Sequence, residues 1–142
     1  MPLWTIHHSP GIFDTDGKRR LALRIADHYE QVGLPRFYVV TLFHATPPED
    51  FYVGGESTDA GVRISIDHIA RRNPDQDSRR RTAQWINGIL RPHLTGRHPA
   101  LHWEFHVDET SDDLWMINGI APPPAGSEAE KTWAATNWAS PY

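Results

Sequence analysis

The feature that most constrains this chain is a strand–helix–strand pattern that occurs twice, the second copy about 60 residues after the first. In the first copy Leu3 to His8 alternates as a strand, with Leu3, Thr5 and His7 on one side and Trp4, Ile6 and His8 on the other. Asp14-Thr15-Asp16 then offers N-cap oxygens to a helix over about 16–32, whose apolar residues Leu21, Ile25, Tyr29 and Val32 follow helical spacing. Gly33 and Pro35 close that helix. Phe37 to Phe43 is a β-rich run with little polar break, which predicts a central strand buried on both faces. In the second copy Val62 to His68 alternates and Asn73-Pro74-Asp75 opens a helix to about 94 with Trp85, Ile86, Ile89 and Leu90 inside. Leu101 to Val107 is the last long strand. Strands joined through a helix run parallel. The duplication therefore predicts an α/β (α+β) fold, a four-stranded mixed sheet with both helices on one face.

The chain divides accordingly into a single domain, 1–142, with a first βαβ unit at 1–45, a second at 62–108 and a C-terminal arm at 109–142. Between the units, Phe51-Tyr52-Val53-Gly54-Gly55 reads as a short strand ending on two glycines, a pattern suited to a bulge or a close backbone approach. Trp103, Phe105 and Val107 need cover, and self-association supplies it for a sheet face the helices do not reach. In the arm, Asp112 to Trp115 reads as one helical turn, Pro122-Pro123-Pro124 as an extended crossing, and 128–136 as a short helix. Trp133, Trp138 and Tyr142 are placed to dock it.

Composition removes several classes of function. The 142 residues carry a net charge of −4 and no cysteine, so disulfides, thiolate metal sites and a cysteine nucleophile are out. No apolar run nears the roughly 20 residues of a membrane span, and the first residues lack the apolar stretch of a signal peptide. The expectation is a soluble, cytoplasmic protein that engages neither membrane nor nucleic acid. Arg79-Arg80-Arg81 does not disturb it, since consecutive helical residues point in different directions. His102, Glu104 and His106 share one side of a strand and are a metal-ligand set by type. Same-side neighbours there stand about 7 Å apart, which leaves the outer two too distant for one ion without a bulge.

The chain begins Met1-Pro2. Removal of the methionine would leave Pro2 with a secondary amine, a nucleophile and a base whose ordinary pKa is about 7.7–8.0. That start, the double βαβ unit, Phe51 to Gly55, Arg71 just after the third long strand, and the arm from Pro122 to Glu128 with Trp133 together resemble the tautomerase superfamily. Within it the chain is most similar to the branch typified by cis-3-chloroacrylic acid dehalogenase.

The resemblance implies a tautomerase fold, a homotrimer, an amino-terminal proline in a small pocket, arginines that hold a substrate carboxylate, and no cofactor. Pro2 matches the proline and Arg71 the first of the arginines. Tyr29 stands where the branch has a histidine, with His28 beside it, although its place on an apolar helix face equally suits a core tyrosine. Pro74 stands where the branch has a second arginine, with Arg72 close by. His106 takes the place of a tyrosine, and Ile117 that of the water-activating glutamate, with Asn118 adjacent. Trp115, Met116 and Asn118 fall on the pocket wall. No acidic residue lies between Asp113 and Glu128. The expected activity is that of a cofactor-independent tautomerase or isomerase, with Pro2 as general base on a small carboxylate-bearing enol or 2-hydroxy-alkenoate. Burial and Arg71 should both lower the amine's pKa, with no carboxylate to oppose them. The alternatives are a catalytically silent, trimeric small-molecule-binding member, a hydratase or dehalogenase, and a His/Glu metal enzyme.

Overall fold

The computed structural model describes residues 1–142. Its main sheet has four strands, β1 (Pro2–His8), β2 (Val40–Ala45), β5 (Gly61–His68) and β6 (His102–Glu109), in the order β2-β1-β5-β6. β1 runs parallel to β2 and β5 to β6, while β1 and β5 are antiparallel and join the two units. Helices α1 (Thr15–Gln31) and α2 (Gln76–Leu94) supply the crossovers, and the mixed sheet with its two helical crossovers matches the sequence pattern. Asp14 caps α1 by accepting from the Gly17 amide at 2.6 Å, and Asp75 caps α2 by accepting from the Ser78 amide at 2.7 Å.

Register decides which side chains share a face. Trp4 pairs with Ile66, Ile6 with Ile64 and His8 with Val62, and all of these are buried beneath the helices with Leu21, Ile25, Ile86, Ile89 and Leu90. Each fully buried aliphatic side chain contributes about 1.5–3 kcal/mol. Trp103, Phe105 and Val107 pair with Val62, Ile64 and Ile66. They lie on that same helix-covered face and pack against the core. This corrects the sequence reading, which gave them to a bare face.

The opposite face carries Leu3, Thr5 and His7 from β1 beside Val40, Leu42 and His44 from β2, then Arg63, Ser65 and Asp67 beside Glu104, His106 and Asp108. Its apolar side chains are Leu3, Val40 and Leu42, the last two exposed.

Two further readings are adjusted. The β-rich run from Phe37 is not a central strand. Arg36–Tyr38 is a 3-10 turn, β2 begins at Val40, and β2 is an edge. Phe37 and Tyr38 pack against the arm, with Tyr38 between Trp115 and Trp133, whereas Phe43 stays in β2 and meets His8 and Phe13. The stretch after Phe51 forms a small hairpin of β3 (Tyr52–Val53) and β4 (Glu56–Ser57). Gly54 and Gly55 both have positive φ, 62° and 89°, which a two-residue hairpin turn of this twist demands. Gly61 is the close approach, since a β-carbon there would stand 2.6 Å from the Phe51 ring.

The arm leaves β6 through a 3-10 turn at Asp112–Leu114 and ends in α3 (Glu128–Thr136). Ser127 caps α3 by accepting from the Glu130 amide at 3.2 Å. Trp133 is fully buried, donates from its indole N–H to the Ser140 carbonyl at 2.8 Å and meets the Phe37, Tyr38 and Tyr142 rings. Trp138 and Tyr142 remain exposed, so of the three aromatics expected to dock the arm only Trp133 is buried.

Candidate active site

The first strand delivers the amino terminus to the end of the sheet where β5 also finishes, since Pro2 pairs with His68. Beyond that pair the Met1 carbonyl accepts from the Ile69 amide at 3.0 Å, so the terminus is held like one more strand residue. A cavity of about 340 Å³ opens there. Met1, Pro2, Tyr29 and His68 form its floor, Val32, Leu34 and Trp85 its apolar wall, and Arg71, Arg72 and Arg81 its cationic rim.

The floor is hydrogen-bonded and neutral. Burial pushes the His68 imidazole down to about 4, with the terminal ammonium adding to the shift. His68 is therefore uncharged at neutral pH and can accept. The Tyr29 hydroxyl donates to His68 Nε2 at 2.6 Å and accepts from the Trp4 indole N–H at 3.2 Å. Burial also raises the Tyr29 phenol above its usual range. Tyr29 thus has both attributes read from its sequence position, a core tyrosine with a satisfied hydroxyl that also lines the cavity.

The Met1 amine is held far below its ordinary value, at about 4 against 8.0. Desolvation is the largest cause and the Arg71 cation the second, with Glu130 and Asp112 acting in the opposite sense. That amine belongs to Met1, whose peptide bond holds the Pro2 nitrogen; the expectation that no carboxylate stands near this end of the chain is corrected. Glu130 comes from the first turn of α3 and is buried. Both its oxygens accept from one Arg71 Nη at 3.1 and 3.2 Å, and one accepts from the Gly126 amide at 2.6 Å. Arg71 Nη1 donates to the Ala70 carbonyl at 2.8 Å. The pair is tied into the fold. Arg72 and Arg81 have no carboxylate partner, in contrast to Arg63, Arg71 and Arg79.

A family model described as "Putative oxalocrotonate tautomerase enzyme" matches residues 1–138 of this sequence. The chain belongs to this tautomerase family. RhCC from Rhodococcus jostii RHA1 is 40% identical to it over 99% of both chains, with a TM-score of 0.92. A probable enzyme from the thermophilic fungus Aspergillus fumigatus is 37% identical, covering 100% of this chain and 98% of its own, also at 0.92. N1, a member of the cis-3-chloroacrylic acid dehalogenase family, shares the fold at 19% identity and a TM-score of 0.66, over 94% and 91% of the two chains. No protein of curated function matches the sequence significantly.

In this family member the remaining candidates scatter. His28 lies behind the cavity, its ring 3.8 Å from that of Trp85 and both its nitrogens without a protein partner. His106 does not reach the cavity. It stands on the open sheet face between Arg63 at 2.7 Å and Asp108 at 3.1 Å. His102 meets Glu104 at 3.8 Å, and the three strand residues considered as metal ligands form no common cluster. Asn118 occupies a left-handed turn position, φ 52°, between the bridged residues Ile117 and Ile120.

Trp115 belongs to a second cavity of about 370 Å³ on the arm side, where Met116 and the three prolines also stand. The two cavities meet at Ala70 and Arg71, which line both. Tyr38 and Glu130 line this second space and were not singled out from the sequence. Ser127-Glu128-Ala129-Glu130 was a legible capping signature. Only the tertiary fold, however, sets its glutamate against an arginine 59 residues earlier.

Proposed function

We propose that the chain is a cofactor-independent tautomerase in which Pro2, freed of Met1, serves as the base for a small carboxylate-bearing enol or 2-hydroxy-alkenoate. The observation that carries this reading is that Pro2 lines one cavity with Arg71, Arg72 and Arg81, where burial and the Arg71 cation lower the pKa of the Met1 amine that precedes it and would act in the same sense on a Pro2 amine set free there. A neutral secondary amine can take a proton, whereas an ammonium cannot. Arg71 and Arg72 orient the substrate's carboxylate, with Arg81 adding to the cationic rim. Guanidinium N–H groups suit carboxylate oxygens in geometry and charge.

The reaction is balanced within the substrate. The Pro2 nitrogen accepts the enol O–H proton, and the oxygen's electron pair forms the C=O bond. The C=C pair takes the proton back from the ammonium at carbon. No oxidant, water or metal enters, and the proline ends as it began. A positioned base contributes about 10²–10⁴-fold.

A silent carboxylate-binding member is the competing reading, favoured by the commitment of Arg71 to Glu130 and Ala70. One assay separates the two. Ketonisation of phenylenolpyruvate is followed in ultraviolet absorbance for protein whose amino terminus is verified by mass spectrometry. Protein beginning at Pro2 should accelerate it, while Pro2→Ala and protein retaining Met1 should lose about 10²-fold or more. Full activity in Pro2→Ala would overturn the base assignment. Binding without acceleration would establish the silent reading.

A further inference from the structure

Tyr38 is 1% exposed, and its hydroxyl has no hydrogen-bond partner in the protein. Buried hydroxyls are almost always partnered, and leaving one unpaired costs about 1–3 kcal/mol. The ring is not free to turn away. Phe37, Trp115 and Trp133 meet it edge-on, at 5.1, 4.8 and 6.3 Å between centroids. The phenol lines the arm-side cavity together with Arg71 and Glu130.

Those same two residues act on the terminal amine. Met1 lines the first cavity, yet its amine is under the field of Arg71, Glu130 and Asp112, all three of which line the second. Met1 and Pro2 line the first cavity with Ala70 and Arg71, the two residues that also line the second, so removal of Met1 would open space beside that shared boundary at the Pro2 nitrogen.

The charges of the two sides differ. The first side carries Arg71, Arg72 and Arg81. The second carries Arg71 with Glu130, Asp112 and Asp113. A carboxylate is welcome on the first side only, and the oxygen that lies toward Tyr38 must be formally neutral.

We propose that the Tyr38 hydroxyl is a further substrate-binding and catalytic group, donating a hydrogen bond to the 2-oxygen of a 2-oxo or 2-hydroxy-alkenoate whose carboxylate lies at Arg71 and Arg72. This rests on the tautomerase reading above. As the enol proton passes to Pro2, negative charge accumulates on that oxygen. A desolvated donor already aimed at it lowers the barrier, an effect typically of 10²–10³-fold in rate. Tyr38 keeps its proton throughout, in accord with burial and Glu130 raising its pKa above the usual range. Pro2 alone moves the proton.

The test compares Tyr38→Phe with the unsubstituted protein, both with processed amino termini. Ketonisation of phenylenolpyruvate should fall about 10²-fold, chiefly in kcat. Pyruvate and propionate, titrated by NMR in a Pro2→Ala background, differ in the 2-oxygen. Tyr38→Phe should weaken pyruvate about 3–10-fold and leave propionate unchanged. Melting temperature should hold or rise, because the hydroxyl removed had no partner. Should Tyr38→Phe fail to fold, 3-fluorotyrosine placed at position 38 provides a fluorine signal that pyruvate should shift and propionate should not.

Equal discrimination between the two acids with and without the hydroxyl, or an unmoved fluorine signal, overturns the proposal. So does an unsubstituted protein that binds both acids alike. If Pro2→Ala abolishes ketonisation while Tyr38→Phe changes nothing, this inference alone fails. If Pro2→Ala stays active, the base reading fails, and the difference between pyruvate and propionate still decides the role of Tyr38.

Discussion

A single Arg71 nitrogen bridges both carboxylate oxygens of Glu130, at 3.1 and 3.2 Å, and the glutamate side chain is only 4% exposed. This contact fastens the arm to the end of β5 and moderates the field at the terminal amine. Its two members pull the amine's pKa in opposite directions.

Glu130→Gln should separate these effects. It removes a buried anion while leaving Arg71 39% exposed and partly hydrated. We expect a loss of about 1–3 kcal/mol in stability, measured by urea unfolding. The freed Arg71 should bind a small carboxylate several-fold more tightly, and the amine should titrate lower still. Weaker binding would mean that Glu130 is needed to hold Arg71 in place.

The pH dependence of activity follows from the sign of the amine's shift. Burial and Arg71 disfavour the Met1 cation, and the same two causes acting on a freed Pro2 would keep its neutral, proton-accepting form populated below the ordinary value. Ketonisation should therefore be flat from pH 8 to pH 7 and should fall only on further acidification. A rate that rises through pH 7.7–8.0 instead would show an amine with the ordinary value, and so an unburied one.

Much of this architecture is legible in periodicity. The two helices, the two alternating strands Leu3–His8 and Val62–His68, and the capping aspartates are local signals, and local signals survive folding. What escaped the sequence was decided by register and by the arm. Trp103, Phe105 and Val107 alternate as any half-buried strand does, and alternation does not say which face is covered. Only pairing with Val62, Ile64 and Ile66 settles it. Phe37 and Tyr38 read as strand because they are aromatic, yet they are aromatic to meet Trp133 and Trp115. At the site, Pro2, Tyr29, Arg71 and Arg72 were accessible by position along the chain. Glu130 and Tyr38 were not, because the arm brings them together across a separation no local pattern encodes.

His68 predicts an acid-sensitive fold. Its ordinary pKa of 6.5 drops to about 4 in the folded protein. Between those values the unfolded chain binds a proton that the folded chain refuses, so stability present above about pH 6.5 is lost as pH falls toward 4. The ceiling is about 3 kcal/mol, at 1.36 kcal/mol per unit. His8, His28 and His93 shift the same way. Melting temperature should decline over that window, and His68→Gln should flatten the decline. An equal slope in the variant would assign the sensitivity to the other histidines.

Trp133 should hold most of the arm's docking energy. It is fully buried, and its ring spans Phe37, Tyr38 and Tyr142. Trp133→Ala should cost about 3–5 kcal/mol, and truncation after Ala121 should cost at least as much because Glu130 departs too. Trp138→Ala, at an exposed position, should fall within about 0.5 kcal/mol of the unsubstituted protein. Comparable losses at both tryptophans would show that Trp138 is covered in solution.

The open face of the sheet leads to the last expectation, a homotrimer. Leu3, Val40 and Leu42 lie side by side there, joined by the stacked rings of His7 and His44, 5.0 Å apart. On its other half Arg63 is flanked by Glu104 and His106. Apolar residues at an uncovered sheet edge invite association or aggregation unless another surface is placed over them. A copy of the same chain is the economical cover, and rotational closure keeps the contact finite. Light scattering should give three times the chain's mass of 16.2 kDa. Leu42→Asp places a charge in the middle of the apolar strip and should shift the population to monomer while leaving the helix-face core intact. A monomeric unsubstituted protein would defeat the expectation. A trimer indifferent to Leu42→Asp would put the contact on another surface.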